Sequence, residues 1–152
     1  AVIVKQMTTL NKTGEELGKI KGVHAMTDVT GFGFLGHLIE MAEGSGLTAE
    51  AWYDKIPAIP GVKEYIAQGV FPDGTTRNWS SYGEKVKFEK GTPVAEAFKL
   101  LPDPQTNGGL LISVAPDAVE AVKECLVKAG LSEFTTPIGT ITSKQEKAVI
   151  IK

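Results

Sequence analysis

The segment His24-Ala25-Met26-Thr27-Asp28-Val29-Thr30-Gly31-Phe32-Gly33-Phe34-Leu35-Gly36-His37 holds the residues of this chain best suited to chemistry. It sets a carboxylate, hydroxyls and glycines just ahead of an amphipathic helix. Backbone N–H groups at a helix start attract phosphate oxygens, and glycines let a ligand approach the chain. A carboxylate just upstream can hold a divalent cation that bridges to those oxygens. Asp28, two positions before an N-cap threonine at Thr30, is the candidate Mg²⁺ ligand. A turn or capping carboxylate is the alternative for it.

Gly31-x-Gly33-x-x-Gly36 also matches the dinucleotide fingerprint, with Asp54 downstream near where a ribose-binding acid falls. The candidate strand ahead of it is short, however, Thr27 to Thr30 intervene, and no second nucleotide-binding half follows. A dinucleotide-binding module therefore stands as the alternative function, and glycines that serve only packing and the helix cap stand as the plainest reading. His37 inside the helix and His24 at the strand start read as packing residues. Two histidines and one cysteine without ligand spacing argue against zinc. Cys125, among Val119, Val122, Leu126 and Ala129 at helical spacing, reads as a buried structural thiol.

A second dense patch is Leu101-Pro102-Asp103-Pro104-Gln105-Thr106-Asn107-Gly108-Gly109-Leu110-Leu111. Two prolines fix its backbone, four polar side chains crowd one loop, and two glycines free the chain before a strand. A tight helix-to-strand connector is the alternative to a site.

The elements that must position these patches follow from periodicity. Residues 1–9 and 13–20 read as two short helical pieces, the second ended by Gly22, and Val23 to Met26 as a short strand. Phe32, Leu35, Ile39 and Ala42 recur at steps of three and four, predicting a helix from Gly31 or Phe32 to about Glu43, stopped by Gly44-Ser45-Gly46. Leu47 to Tyr53 alternates like a half-buried strand. A short helix over Val62 to Gln68 precedes a polar segment from Gly69 to about Gly91, read as a long irregular loop. Helices follow from Pro93 and over Pro116 to Ala129, with a buried strand at Gly109 to Ala115 between them. Phe134 to Thr142 and Ala148 to Ile151 read as strands of a terminal hairpin turning at Ser143-Lys144-Gln145-Glu146. Alternating helices and strands with a terminal hairpin predict a mixed sheet.

The 152 residues, 42% apolar and 22% charged, suit one globular domain. A net charge of −2 gives no general attraction to nucleic acid or an anionic membrane, so phosphate affinity must be local. No run approaches the roughly 20 apolar residues of a membrane span, and the start lacks the order of a signal peptide. The reading is cytoplasmic. The opening AVIVKQM is already helix-like without an N-cap residue, as though the chain were the carboxyl-terminal piece of a longer protein.

Together, Thr27-Asp28-Val29-Thr30-Gly31-Phe32-Gly33-Phe34-Leu35-Gly36-His37 and Leu101-Pro102-Asp103-Pro104-Gln105-Thr106-Asn107-Gly108-Gly109, in that order, resemble the carboxyl-terminal domain of the selenophosphate synthetase (selenide, water dikinase) family. The likeness extends to Asn11-Lys12, to Tyr53 through Val62, and to Gly74-Thr75-Thr76-Arg77-Asn78. Either motif alone points to the wider superfamily of aminoimidazole ribonucleotide synthetase, formylglycinamide ribonucleotide amidotransferase, thiamine monophosphate kinase and a hydrogenase maturation protein.

The resemblance implies an α/β (α+β) fold like that of the aminoimidazole ribonucleotide synthetase carboxyl-terminal domain: a mixed β-sheet with helices on one face. It implies an ATP-dependent enzyme that phosphorylates selenide to selenophosphate, releasing AMP and orthophosphate, and that works as a homodimer of two-domain subunits. The amino-terminal domain, absent here, would carry the Cys or selenocysteine, a lysine and most of the metal-binding aspartates, leaving the fragment alone inactive and without catalytic residues. Asp28 matches a position that ligates Mg²⁺ across the ATP phosphates. Thr27, Thr30, Gly31, Gly33, Asn78, Asp103, Gln105 and Thr106 are the candidates for lining ATP and its phosphates. Two departures stand out: Asn107 where the family usually has Ser, and Asp73 in place of the first glycine of a Gly-Gly pair. Asn107 can still donate and accept hydrogen bonds, whereas Asp73 adds a negative charge.

Overall fold

A computed structural model describes residues 2–152. The first helical piece is α1 (Val2–Thr8), its predicted first residue lying outside the described residues, and the second, α2 (Thr13–Leu17), stops earlier than its charge pattern suggests. Strand β1 (Val23–Asp28) runs two residues further than expected and delivers Asp28 directly to the glycine loop. Helix α3 (Gly33–Ser45) follows, with Gly33, Phe34, Leu35, Leu38, Ile39 and Ala42 buried. Its end is closed by left-handed Gly46: the Leu47 N–H reaches back to Ala42 O and the Gly46 N–H to Glu43 O, both at 3.0 Å. Thr30 is not the N-cap. Phe32 occupies that position without a side-chain bond to the helix, because the Thr30 hydroxyl is turned toward His37.

The remaining elements are β2 (Thr48–Ala51), α4 (Val62–Ala67), α5 (Asp73–Tyr82), β3 (Val86–Phe88), α6 (Val94–Leu100), β4 (Leu110–Val114), α7 (Val119–Lys128), β5 (Gly139–Thr142) and β6 (Val149–Ile151). Two differences from the sequence expectation matter. The stretch 69–91 is not a loop: it contains α5, a 3-10 turn at Gly83–Lys85 and β3. Its polar composition hides a helix whose inward stripe is only Thr75, Asn78, Trp79 and Tyr82, three of them polar-tipped. The terminal strands form no hairpin with each other. In the sheet order β3-β6-β2-β5, β2 slots between them, parallel to β6 and antiparallel to β5, and Phe134 lies in a 3-10 turn. Inserting β2 buries Ala49 and Ala51 against both neighbours, which a local turn would leave half-paired.

This four-stranded sheet is mixed, with β3 parallel to β6 at the far edge. Its rows Val86-Val149-Ala49-Ile141 and Phe88-Ile151-Ala51-Gly139 face α3, α5 and α6 across the main core, which contains Leu35, Ile39, Tyr82, Ala97 and Leu101. The alternate row presents Lys87, Glu50 and Thr140 on the other face, where Glu50 pairs with Lys152. The expected mixed sheet with helices gathered on one face is thus present.

Strands β1 and β4 form a separate antiparallel ribbon, with Asp28 opposite Leu110. A second apolar cluster of Leu17, Val122 and Leu126 joins α2 and α7 to this ribbon through Val23, Met26, Ile112 and Val114, with half-buried Cys125 beside it. Each fully buried leucine, Leu17 and Leu35 among them, contributes about 2–3 kcal/mol by its removal from water.

Candidate functional site

The two motif segments are zipped together by backbone hydrogen bonds that carry the ribbon ladder past its strands. The Val29 N–H donates to Gly109 O at 2.9 Å, the Gly108 N–H to Val29 O at 2.8 Å, and the Gln105 N–H to Thr30 O at 3.1 Å. At the next step the second segment meets α3: the Leu35 N–H donates to Leu101 O at 3.1 Å. Gly33 makes this approach possible. It sits at φ +69°, and a Cβ there would stand 2.6 Å from the Pro102 carbonyl carbon. A Cβ on Gly36 would fall 2.5 Å from that of Phe32 and 3.2 Å from the Tyr82 ring, whereas one on Gly31 would meet nothing within 4 Å. Two of the three fingerprint glycines therefore serve packing, and only Gly31 opens to solvent.

Helix α5 locks the assembly from behind. The Asn78 side-chain amide donates to both Gly31 O and Pro102 O at 2.9 Å, and the Tyr82 hydroxyl donates to Phe32 O at 2.6 Å. Burial pushes the Tyr82 phenol well above its ordinary range, so it stays a donor. These three carbonyls are thereby turned toward α5. Among the described residues, the N–H groups of Thr30, Gly31 and Phe32 have no acceptor in the protein and remain available to an anion.

Asp28 ends β1, is exposed, and is engaged in no ion pair among the described residues. Its carboxylate stands free beside the open glycine loop, which suits an oxygen-preferring divalent cation. No group of three or more His, Cys, Asp or Glu able to hold a metal occurs among the described residues. Asp103 is half-buried, and burial raises its carboxyl pKa above the ordinary 3.8.

The other sequence candidates divide. The Thr27 hydroxyl donates to the Asp28 carbonyl at 3.2 Å. The Gln105 side chain lies over Gly108, where a Cβ would come within 2.5 Å of its Oε1. Thr106 is exposed on the outer turn. Thr30 is joined to His37: its Oγ1 lies 3.3 Å from Nε2, and Nδ1 lies 3.0 Å from Glu40 Oε2. Asp73 opens the first turn of α5, where a negative charge is favourable at a helix start. Gly74 lets that turn come up against Pro104.

Sequence reasoning passed over Tyr82 and the His37–Glu40 pair, and it treated Asn107 as a mild replacement. Asn107 instead ties the loop to α1. Its amide donates to Gln6 O at 3.2 Å and to Thr9 O, and its Oδ1 accepts from the Gly109 N–H at 3.3 Å. A serine lacks the second donor for this, which was the signal in the sequence.

The dinucleotide alternative fails on topology. β1 pairs antiparallel with β4 while β2 belongs to the other sheet, so β1-α3-β2 is not the parallel crossover that the fingerprint requires. No described helix is long and apolar enough to cross a membrane.

Comparison with known proteins accords with this geometry. The selenide, water dikinase of Pseudomonas putida is 48% identical over 143 residues, covering 94% of this chain and 40% of that protein. The enzyme of the same name from Cronobacter sakazakii is 50% identical over 127 residues, covering 83% and 35%. The chain thus spans well under half the length of these curated relatives. Among solved structures, E. coli HypE shares the fold with a TM-score of 0.62 at 22% identity, over 91% of this chain and 34% of that one. The hydrogenase maturation protein HypE in complex with ATP gives a TM-score of 0.57 at 20% identity, over 94% and 36%. The model of the AIR synthase related protein, C-terminal domain, matches residues 4–152, and the chain belongs to that family.

Proposed function

We propose that this chain is the carboxyl-terminal domain of a selenophosphate synthetase and supplies part of its Mg²⁺–ATP site. The whole enzyme would phosphorylate selenide at the expense of ATP, yielding selenophosphate, AMP and orthophosphate. The observation that carries this reading is the unpaired Asp28 carboxylate at the end of β1, just ahead of a glycine loop whose N–H groups at Thr30, Gly31 and Phe32 find no acceptor among the described residues. Its support from outside the site is the identity of about half of all aligned residues with selenide, water dikinases.

Phosphoryl transfer demands charge neutralisation and positioning more than covalent help. Mg²⁺ would neutralise the phosphate charge. Asp28 would be its ligand from this domain, and the N–H groups of Thr30, Gly31 and Phe32 would receive phosphate oxygens. Gly33 seats the loop, while Asn78 and Gln105 hold the two segments in register. Thr27, Asp103 and Thr106 would border the same surface. The remaining ligands, the nucleophile and the lysine would come from an amino-terminal domain, in a cytoplasmic homodimer.

The test is ³¹P NMR of the full-length enzyme given Mg²⁺–ATP and selenide. A selenophosphate resonance with stoichiometric AMP is expected. ATP consumption that ignores selenide would overturn the substrate assignment.

A further inference from the structure

Resting on that reading of the site, we infer that the Thr30 hydroxyl is a second contributor to the divalent cation beside Asp28, fixed in that role by His37 and Glu40. The three side chains form a chain of contacts from the glycine loop to the surface. His37 is buried, its side chain only 9% exposed, whereas the Glu40 side chain is 60% exposed. The Phe32 ring lies beside the imidazole, tilted at 58° with 6.0 Å between centroids.

Donor and acceptor counting assigns the protons. An ionised carboxylate can only accept, so Nδ1, at 3.0 Å from Glu40 Oε2, carries the hydrogen of the neutral ring. Nε2 is then a bare acceptor. Thr30 Oγ1, at 3.3 Å, meets it by donating its single proton. What the hydroxyl has left to offer the site is lone pairs. A phosphate oxygen is also acceptor-only and finds nothing complementary there. A divalent cation, or a water bound to one, does. In metal sites a carboxylate commonly orients a histidine that itself binds the ion; here the same pair orients a hydroxyl, and losing such outer support typically costs about 10–100-fold in metal affinity. Thr30 is therefore a cation-side group, distinct from the backbone N–H groups of its own loop, which serve the phosphates.

The test uses the full-length enzyme. Mn²⁺ is the probe, and its binding is read by electron paramagnetic resonance with a non-hydrolysable ATP analogue. Thr30→Val should weaken Mn²⁺ binding about tenfold while leaving analogue affinity without divalent metal unchanged. Thr30→Ser should match the wild type. His37→Phe should weaken Mn²⁺ similarly, and His37→Gln, which keeps an acceptor, should recover part of the loss. A Thr30→Val enzyme that loses metal-free analogue affinity instead, or changes in neither, overturns the inference.

¹⁵N-histidine spectra, assigned by the signals lost in His37→Gln, keep the idea testable even if Thr30→Val does not fold. The Nδ1-protonated tautomer is expected, and the Nε2-protonated one refutes it. Wild-type enzyme that took up no Mn²⁺ with the analogue would instead remove the parent reading of the site.

Discussion

Asn78 is the residue whose loss should reveal how the site is held. In Asn78→Ala, two hydrogen bonds of 2.9 Å disappear, and their carbonyls fare differently. Gly31 is exposed, so its carbonyl recovers a water partner and the loss is about 0.5–1 kcal/mol. Pro102 is fully buried, so its carbonyl is stranded at about 1–3 kcal/mol. Alanine recovers roughly 0.5 kcal/mol of helix propensity within α5. The net is about 2 kcal/mol, or roughly 4–8 °C in Tm for a chain of this size. Urea unfolding followed by tryptophan fluorescence, with Trp79 one residue away, measures it directly. Asn78→Asp should be worse than alanine at neutral pH, because it aims a carboxylate at two carbonyls. A loss below about 0.5 kcal/mol in Asn78→Ala, or an Asn78→Asp protein no less stable than the alanine variant, refutes the clamp.

Other consequences are smaller and separable. The Thr75 hydroxyl is fully buried without a hydrogen-bond partner among the described residues, so Thr75→Val should raise stability by about 1 kcal/mol, seen as a higher urea midpoint at unchanged slope; a fall would reveal a hidden partner. Asn107→Ser should loosen α1, speeding its amide hydrogen exchange about fivefold for each 1 kcal/mol lost while α3 stays protected. Glu50 is held below its ordinary carboxyl value of 4.5, chiefly by the hydrogen bond from Lys152 and also by Gln145. Because the folded state binds this proton less tightly, the contribution is complete above 4.5 and disappears as pH falls through the depressed folded value. Glu50→Gln should therefore flatten that acid limb of the stability curve, by less than about 1 kcal/mol for a partly exposed pair; an unchanged limb would contradict it.

Much of this architecture is written in local pattern. The three- and four-step apolar spacing of α3 and the glycine that closes it are visible in the chain, as are the proline that opens the turn into α7 and the run at β4. What escaped notice depends on partners far along the sequence. Helix α5 looks like loop because its inward face is built of Thr75, Asn78 and Tyr82, whose value lies in contacts that hydropathy does not register. Asn78 finds its acceptors 47 and 24 residues away. The terminal hairpin was misread because strand pairing is decided by where β2 lies, and β2 comes roughly a hundred residues earlier.

The site divides along the same line. The position of Asp28 just ahead of an open Gly31 was legible, since the order of a carboxylate and a glycine loop is read directly from the chain. Gly33 and Gly36 matched a letter pattern whose physical cause proved to be Pro102 and Tyr82. Joining the two motifs required the backbone ladder between Val29–Thr30 and Gln105–Gly109, which no single segment reveals.

The role of Asp28 is tested most directly by titrating Mg²⁺ into selenide-dependent ATP turnover by the full-length enzyme, comparing wild type with Asp28→Asn. Asparagine keeps the shape and removes the charge. A metal contact from this residue predicts a Mg²⁺ requirement raised at least about tenfold, with thermal stability unchanged. Superimposable Mg²⁺ titrations would contradict it.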